Sequence, residues 1–180
     1  MESLYAAVRN AQKKRAMLLA VFGAAVIFLI GLAVMGSTWN LPIAIVTVLS
    51  MMLTTTAVRF LLLSPSACRR KLWSLVEDQP FAASFRVTAA AELAAAKPAF
   101  ANREYRLCLY LTPTWLILVS TNCSLIRPRT ALLGAERILL EHLSEHALCL
   151  HFADSDVTCR CEHVCEDLAE ILHASVKEYI

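Results

Sequence analysis

Residues 16–36 read AMLLAVFGAAVIFLIGLAVMG, a run of 21 residues without a charged or strongly polar side chain. An α-helix of that length is about 31 Å long, close to the thickness of the hydrocarbon core of a bilayer. A second apolar run begins at Leu41 and reaches Val58, or Leu63 if Arg59 extends its guanidinium to the headgroups. Because only residues 37–40 separate the two runs, residues 16–63 are predicted to form an antiparallel transmembrane hairpin.

Two other interpretations of the apolar runs are disfavoured. A cleaved signal peptide would have a shorter apolar core, and Ala33-Val34-Met35 does not supply the small-x-small pattern of a cleavage site. A buried helical hairpin of a soluble protein is disfavoured because both runs are long and uninterrupted.

Basic residues flank the two runs on the side of the chain termini, whereas the connecting loop carries no charge. By the positive-inside rule we expect both termini in the cytoplasm and a multi-pass protein of the cell (inner) membrane. The membrane-anchoring flank consists of Arg9, Lys13, Lys14, Arg15, Arg69, Arg70 and Lys71.

The charge changes sign along the chain. Residues 1–71 hold 8 Lys/Arg and 1 acidic residue, a net of +7, while residues 72–180 hold 9 Lys/Arg and 14 acidic residues, a net of −5. The basic part suits an anionic lipid surface, and the acidic remainder argues against nucleic acid as a partner. In a cytoplasmic protein the 7 cysteines are expected to be thiols rather than disulfides.

Four segments are expected. Residues 1–15 form a basic lead-in on the membrane surface, 16–63 the hairpin, 64–103 a juxtamembrane linker with a helix, and 104–180 a soluble domain. Within the linker, the alanine-rich residues 82–96 favour a helix, although a strand at residues 85–88 stays open.

The soluble domain begins where apolar residues start to alternate, which is typical of strands. Six short strands are predicted in one antiparallel meander, at residues 105–111, 115–119, 123–127, 137–143, 147–152 and 157–161. An amphipathic helix over residues 162–179 follows and caps the sheet. The predicted fold class is an α+β membrane protein with an N-terminal transmembrane hairpin, a small antiparallel sheet and a C-terminal helix.

This order of parts resembles bacterial membrane proteins with a cytoplasmic pleckstrin-homology-like (PH-like, YcxB-type) domain. The resemblance covers residues 105–180, especially RLCLYLTPTWLILVS (106–120), ALCLHFADSDVTCRC (147–161) and the final helix. These families are largely uncharacterised, so the resemblance implies anchoring and interaction rather than a reaction.

One cluster of soft ligands is a candidate for metal or redox chemistry: Cys159, Cys161, His163 and Cys165. Its spacing is not that of a standard zinc site. A turn centred on Asp154 and Ser155 places both strand cysteines on the apolar face, where free cysteine behaves as a small hydrophobe. The predicted cross-strand pairs are Phe152 with Val157, Leu150 with Cys159, and Leu148 with Cys161. The core interpretation is preferred, and a metal- or thiol-dependent membrane sensor is the alternative.

Other titratable residues give weaker signals. His142 and His146 have helical ligand spacing, but the surrounding pattern favours a strand, a solvated turn and a strand. His151 is expected on the outer face near Thr158, and Asp156 is interpreted as a turn residue.

The sequence contains no glycine-rich phosphate loop and no recognisable pairing of a nucleophile with a base. We therefore predict a protein that is not an enzyme and needs no cofactor. It presents a cytoplasmic interaction domain in a scaffold or recruitment role, with the lipid bilayer and either another protein or a second copy as partners. A lipid-binding module is a further option, for which a basic pocket would be needed from Arg103, Arg106, Arg127 and Arg129.

Overall fold

A computed structural model describes residues 2–36, 41–102, 104, 106–140, 143, 145–161 and 164–177. The helices are α1 (Glu2–Met35), α2 (Leu41–Leu63), α3 (Pro65–Ser74), α4 (Ala82–Ala95) and α5 (Cys165–Lys177). The strands are β1 (Phe100–Asn102), β2 (Leu107–Leu111), β3 (Trp115–Val119), β4 (Ser124–Pro128), β5 (Leu132–Leu140), β6 (Glu145–Phe152) and β7 (Asp156–Arg160). The predicted α+β class is confirmed, with two long apolar helices, antiparallel sheets and a C-terminal helix.

Helices α1 and α2 are long and apolar enough to cross a membrane, and they pack against each other as a hairpin. A Cβ atom on Gly31 would stand 2.5 Å from Oγ1 of Thr47, and one on Gly23 would stand 3.1 Å from Cγ2 of Thr54. Small residues therefore allow the two backbones to approach closely at these two points. The Thr47 hydroxyl donates to the carbonyl of Ile43 in its own helix at 2.8 Å, so it remains hydrogen-bonded in an apolar environment.

The N-terminal lead-in is the first part of α1 rather than a separate surface segment. Leu4, Ala7, Val8 and Ala11 follow the spacing of one helical face and are all buried. They pack in one cluster with residues of α3, α4 and the first sheet. A single helix thus runs from the core of the domain into the apolar hairpin.

The segment expected to be a linker also packs into the domain. The Ser64 hydroxyl caps α3 by accepting a hydrogen bond from the Ala67 amide at 3.2 Å, and Pro65 occupies the first turn. Residues 82–95 are helical, so the alternative of a strand at residues 85–88 is wrong. Phe85 on α4 is fully buried, and its ring meets that of Trp115 edge to face at 5.0 Å.

Within the described residues seven strands form two sheets, whereas six strands in one sheet were predicted. The first sheet has the order β1-β2-β3-β4 and the second the order β5-β6-β7. Strand β1 has only three residues, too few to show an alternating pattern. Strand β5 begins at Leu132 rather than at residue 137 because a bulge beside Gly134 lets the strand continue through the expected loop.

The pairing of β6 with β7 differs from the prediction by two residues. Leu150 lies opposite Val157, Leu148 lies opposite Cys159, and His151 lies opposite Asp156. An even shift keeps every side chain on its predicted face, so Cys159 still points into the core.

Two apolar cores lie on opposite faces of the first sheet. The inner core, between the two sheets and α5, includes Leu109, Leu118, Leu150 and Leu168. The outer core lies between the first sheet and the helices α1, α3 and α4. Every residue of β3 is buried because this strand has helices on one face and the second sheet on the other. Residues 162, 163, 178 and 179 of the predicted final helix lie outside the described residues.

Candidate functional site

The predicted anchoring cations surround the base of the apolar hairpin. Those of α1, residues 9–15, and those of α3, residues 69–71, are all exposed. The Arg69 guanidinium lies 5.7 Å from the centroid of the Tyr5 ring, which links α3 to the first turns of α1 through a cation–π contact. The two groups of cations therefore stand beside each other where the apolar helices enter the domain.

A groove of about 500 Å³ opens beside this base. Its charged and titratable lining comes from α1 and from the ends of several strands: Lys14, Glu104, Arg106, Glu145, His146 and Arg160. Nη1 of Arg106 and Nδ1 of His146 are buried there and have no hydrogen-bond partner among the described residues. We call this surface the basic groove, because the Lys and Arg side chains outnumber the two carboxylates.

A second hollow of about 230 Å³ lies between the hairpin base and the turn from β3 to β4. Arg15 and Lys71 line one side, and residues 119–124 line the other. The Ser120 hydroxyl organises this turn by accepting a hydrogen bond from the Cys123 amide at 2.9 Å and donating one to its carbonyl at 2.8 Å. A structured loop of the domain therefore stands next to the anchoring cations.

Of the four arginines considered for a lipid pocket, the three that the structure describes are not gathered in one place. Arg106 lines the basic groove. Arg127 donates to Gln79 and forms an ion pair with Asp154 at 3.1 Å. Nε of Arg129 donates a hydrogen bond of 2.9 Å to the Ser175 hydroxyl of α5. Arg103 lies outside the described residues. Only Arg106 of the described members is next to the hairpin base.

The predicted cysteine cluster is part of the inner core. Cys159, Cys161 and Cys165 are buried among leucines of β6 and α5, and His163 lies outside the described residues. The sulfur atoms of Cys161 and Cys165 are 3.4 Å apart. Burial, together with the neighbouring Cys165 thiol, raises the pKa of Cys161 to about 12. A protonated thiol is a poor nucleophile and a poor metal ligand.

Cys159 is also joined by a disulfide to Cys123, which precedes β4. The expectation that all seven cysteines are thiols is therefore wrong for this pair. The residues are 36 positions apart and connect the first sheet to the second. No local pattern in the sequence signals this pairing, because only the packing of the two sheets brings Cys123 next to β7.

Comparisons of the chain with protein-family models, with curated proteins and with solved structures find no match.

One group of ligating side chains was missed by the sequence reasoning. Cys149, His151 and Asp156 place one sulfur, one ring nitrogen and one carboxylate oxygen within 4.8 Å of one another. The two-residue difference in register explains the omission, because the predicted pairing sets Thr158 opposite His151 instead of Asp156. The alternating pattern Cys-Leu-His in β6 was the available signal, since it puts both ligands on one face of the strand.

Proposed function

We propose that this chain is a non-enzymatic integral membrane protein that presents a cytoplasmic interaction domain at the bilayer surface, in a scaffold or recruitment role. The main support for this proposal is the continuity of α1, which runs over Glu2–Met35 without a break. Its first turns are buried in the domain at Leu4 and Val8, and the rest of the helix is largely exposed and apolar. A domain built around one end of a membrane-spanning helix cannot swing freely from it.

The exposure of the hairpin supports its insertion into lipid. In the most apolar 18-residue stretch of each helix, only 11% of α1 and 6% of α2 is buried. The core helix of a soluble protein would be mostly buried. Large apolar side chains such as Phe22, Leu29 and Leu53 are more than half exposed along these helices. Leaving so many of them in water would be costly, and a bilayer removes that cost.

The proposed location is the inner membrane, with both termini in the cytoplasm. Its support is the ring of exposed cations at the base of the hairpin and the absence of charge from residues 37–40. In this orientation the basic groove and the turn at residues 120–124 would lie at headgroup level. The Lys and Arg side chains there would interact with anionic lipid.

We further propose that the domain is PH-like, as the resemblance of residues 105–180 implies. Two antiparallel sheets followed by a C-terminal helix that packs on the inner core are compatible with that proposal.

The surface proposed to receive a protein partner is centred on β5. Among the described residues outside the hairpin, the large apolar side chains that are exposed are Val87, Leu133, Leu139 and Leu143. Two of these lie on β5 and one in the turn that follows it. Exposed apolar side chains on a strand at the edge of a sheet favour the docking of another chain. The alternative of a thiol-dependent sensor has less support, because the cysteine cluster is enclosed in the core.

Orientation is tested with single-cysteine variants and a membrane-impermeant maleimide on intact cells. Asn40→Cys should be labelled at once, and Asn10→Cys only after the cells are opened. The opposite pattern would place the domain outside the cytoplasm and contradict the proposal.

Recruitment is tested by placing a photo-crosslinking amino acid at Leu139 in the full-length protein in cells. We expect one discrete adduct in the membrane fraction, and the mass of the adduct distinguishes a second copy from another protein. The matched control is the same crosslinker at Glu170, which is exposed on α5. Equal labelling at Leu139 and Glu170 would overturn β5 as the docking surface. So would the absence of an adduct both with the crosslinker at Leu139 and with it placed at Leu133 instead.

A further inference from the structure

The outer face of the second sheet carries a group of ligating side chains that is separate from the cysteines of the core. In the register of the sheet, Cys149 lies between Glu136 of β5 and Thr158 of β7, and His151 lies opposite Asp156. Directly paired residues of an antiparallel sheet share a face, as do residues two apart on one strand. All five side chains therefore lie on the face opposite the inner core.

The ligand atoms of this group are already close together. Nδ1 of His151 is 2.9 Å from Oδ1 of Asp156, and Nε2 of the same ring is 3.3 Å from Oε1 of Glu136. The Cys149 sulfur lies within 4.8 Å of a ligand atom from each of His151 and Asp156. Ligand atoms that share one tetrahedral zinc ion, with bonds of about 2.0–2.3 Å, are about 3.3–3.8 Å apart. The pairing of β6 with β7 sets the backbone positions of the three ligands, so side-chain rotations would have to close the remaining distances.

The donor set has the chemistry of a zinc site. A thiolate, an imidazole and a carboxylate are the three ligand types that zinc binds in proteins, whereas magnesium and calcium prefer oxygen alone. We propose that Cys149, His151 and Asp156 bind one Zn²⁺ ion, with Nδ1 of His151 facing the metal. Since the side chains of His151 and Asp156 are 35% and 64% exposed, water can take the fourth position.

Glu136 acts as a positioning residue in this site. Its carboxylate oxygen lies 3.3 Å from Nε2 of His151, so in the zinc-bound form it would accept the Nε2–H hydrogen bond while Nδ1 turns from the Asp156 carboxylate to the metal. Histidine ligands of zinc are commonly oriented by such a carboxylate.

A histidine that is simply ion-paired would explain why the carboxylates of Glu136 and Asp156 flank His151. It would not explain why the Cys149 thiol lies beside them. This thiol is 7% exposed. A divalent cation in the middle of the group compensates the negative charge that the thiolate would add.

The experiment uses the full-length protein in lipid nanodiscs, stripped with a chelator and then dialysed against Zn²⁺. We expect one zinc per chain by elemental analysis. Titration with Co²⁺ should give a thiolate-to-cobalt charge-transfer band. Cys149→Ala and His151→Ala should each weaken zinc binding by more than about 100-fold, and Glu136→Ala by about 10- to 100-fold.

His146→Ala is the matched control, because His146 lies on the same strand and at its other end. It should bind zinc as the wild type does. Asp156→Asn provides a second ligand variant at an exposed position, should Cys149→Ala fail to fold. No stoichiometric zinc in the wild type would overturn the proposal. So would zinc that persists in His151→Ala but is lost in Cys161→Ala, since the metal would then belong to the core cysteines.

Discussion

Nε1 of Trp115 on β3 donates a hydrogen bond of 2.8 Å to Oγ1 of Thr88 on α4. The Trp115 ring is buried and contacts the ring of Phe85 one turn earlier on the same helix. This relationship joins a segment that reads as a linker to the central strand of the first sheet. It makes α4 part of the domain and gives the domain a second core on the side of the hairpin.

The bond between Trp115 and Thr88 can be measured with a double-mutant cycle. Trp115→Phe and Thr88→Val should each lower the free energy of unfolding by about 1 kcal/mol through the lost hydrogen bond, with an added cavity cost for Trp115→Phe. The two effects should not add, because either change removes the same bond. Denaturant unfolding of the detergent-solubilised protein checks this, and full additivity would show that the bond contributes nothing.

The buried start of α1 predicts that Leu4 stabilises the domain although it precedes the hairpin. Leu4 is fully buried, so Leu4→Ala should cost about 2–5 kcal/mol of unfolding free energy. Leu18→Ala is the matched control in the same helix, because Leu18 is 62% exposed on the apolar hairpin. Hydrogen exchange of β3 should rise in Leu4→Ala alone. Equal exchange in both variants would mean that the lead-in is not part of the core.

Because α1 and α2 approach closely at Gly31, a side chain at this position should not fit between the two helices. A side chain at this position would collide with Thr47, whose Oγ1 would be 2.5 Å from the new Cβ. Gly31→Val should therefore separate the helices and lower thermal stability in detergent, at a cost of about 1–3 kcal/mol for overpacking. Ala33→Val, at an exposed position of the same helix, should leave the melting temperature unchanged. A normal melting temperature for Gly31→Val would refute the helix contact.

The contact between Glu92 of α4 and the turn before β3 should stabilise the fold in a pH-dependent way. Burial raises the pKa of Glu92, but hydrogen bonds from Thr112 and from the hydroxyl and amide of Thr114 outweigh this effect and lower the pKa below its usual value. A carboxyl whose pKa is lowered on folding stabilises the fold above its unfolded pKa, and this contribution is lost as pH falls through the folded pKa. Glu92→Gln should thus lower the denaturation midpoint at neutral pH and differ little from wild type once the pH lies below the folded pKa of Glu92. A constant difference at both pH values would contradict this account.

The buried cysteines predict selective thiol reactivity. Cys161 and Cys165 are enclosed in the inner core, and the pKa of Cys161 is raised to about 12. Both should resist alkylation in the native protein and react only on unfolding, whereas the half-buried Cys108 should react first. Mass spectrometry of timed alkylation checks the order. Fast modification of Cys161 in the folded state would reopen the sensor hypothesis.

The sequence by itself determined the apolar hairpin, the order of helix, strands and helix, and the inward face of Cys159. These features follow from local periods of hydrophobicity, which need no knowledge of distant residues. The role of residues 1–15 and 64–95 could not be determined in this way. Their apolar faces are short and become meaningful only when the first sheet supplies a surface to bury them.

Only the tertiary structure decided which side chains meet. A shift of two residues between β6 and β7 leaves the faces unchanged but replaces Thr158 with Asp156 beside His151. Alternation along a strand specifies its face, whereas register depends on turn geometry and on packing against the rest of the domain. The hydrophobic pattern therefore sufficed for the architecture, and the candidate zinc ligands came into contact only through the pairing of β6 with β7.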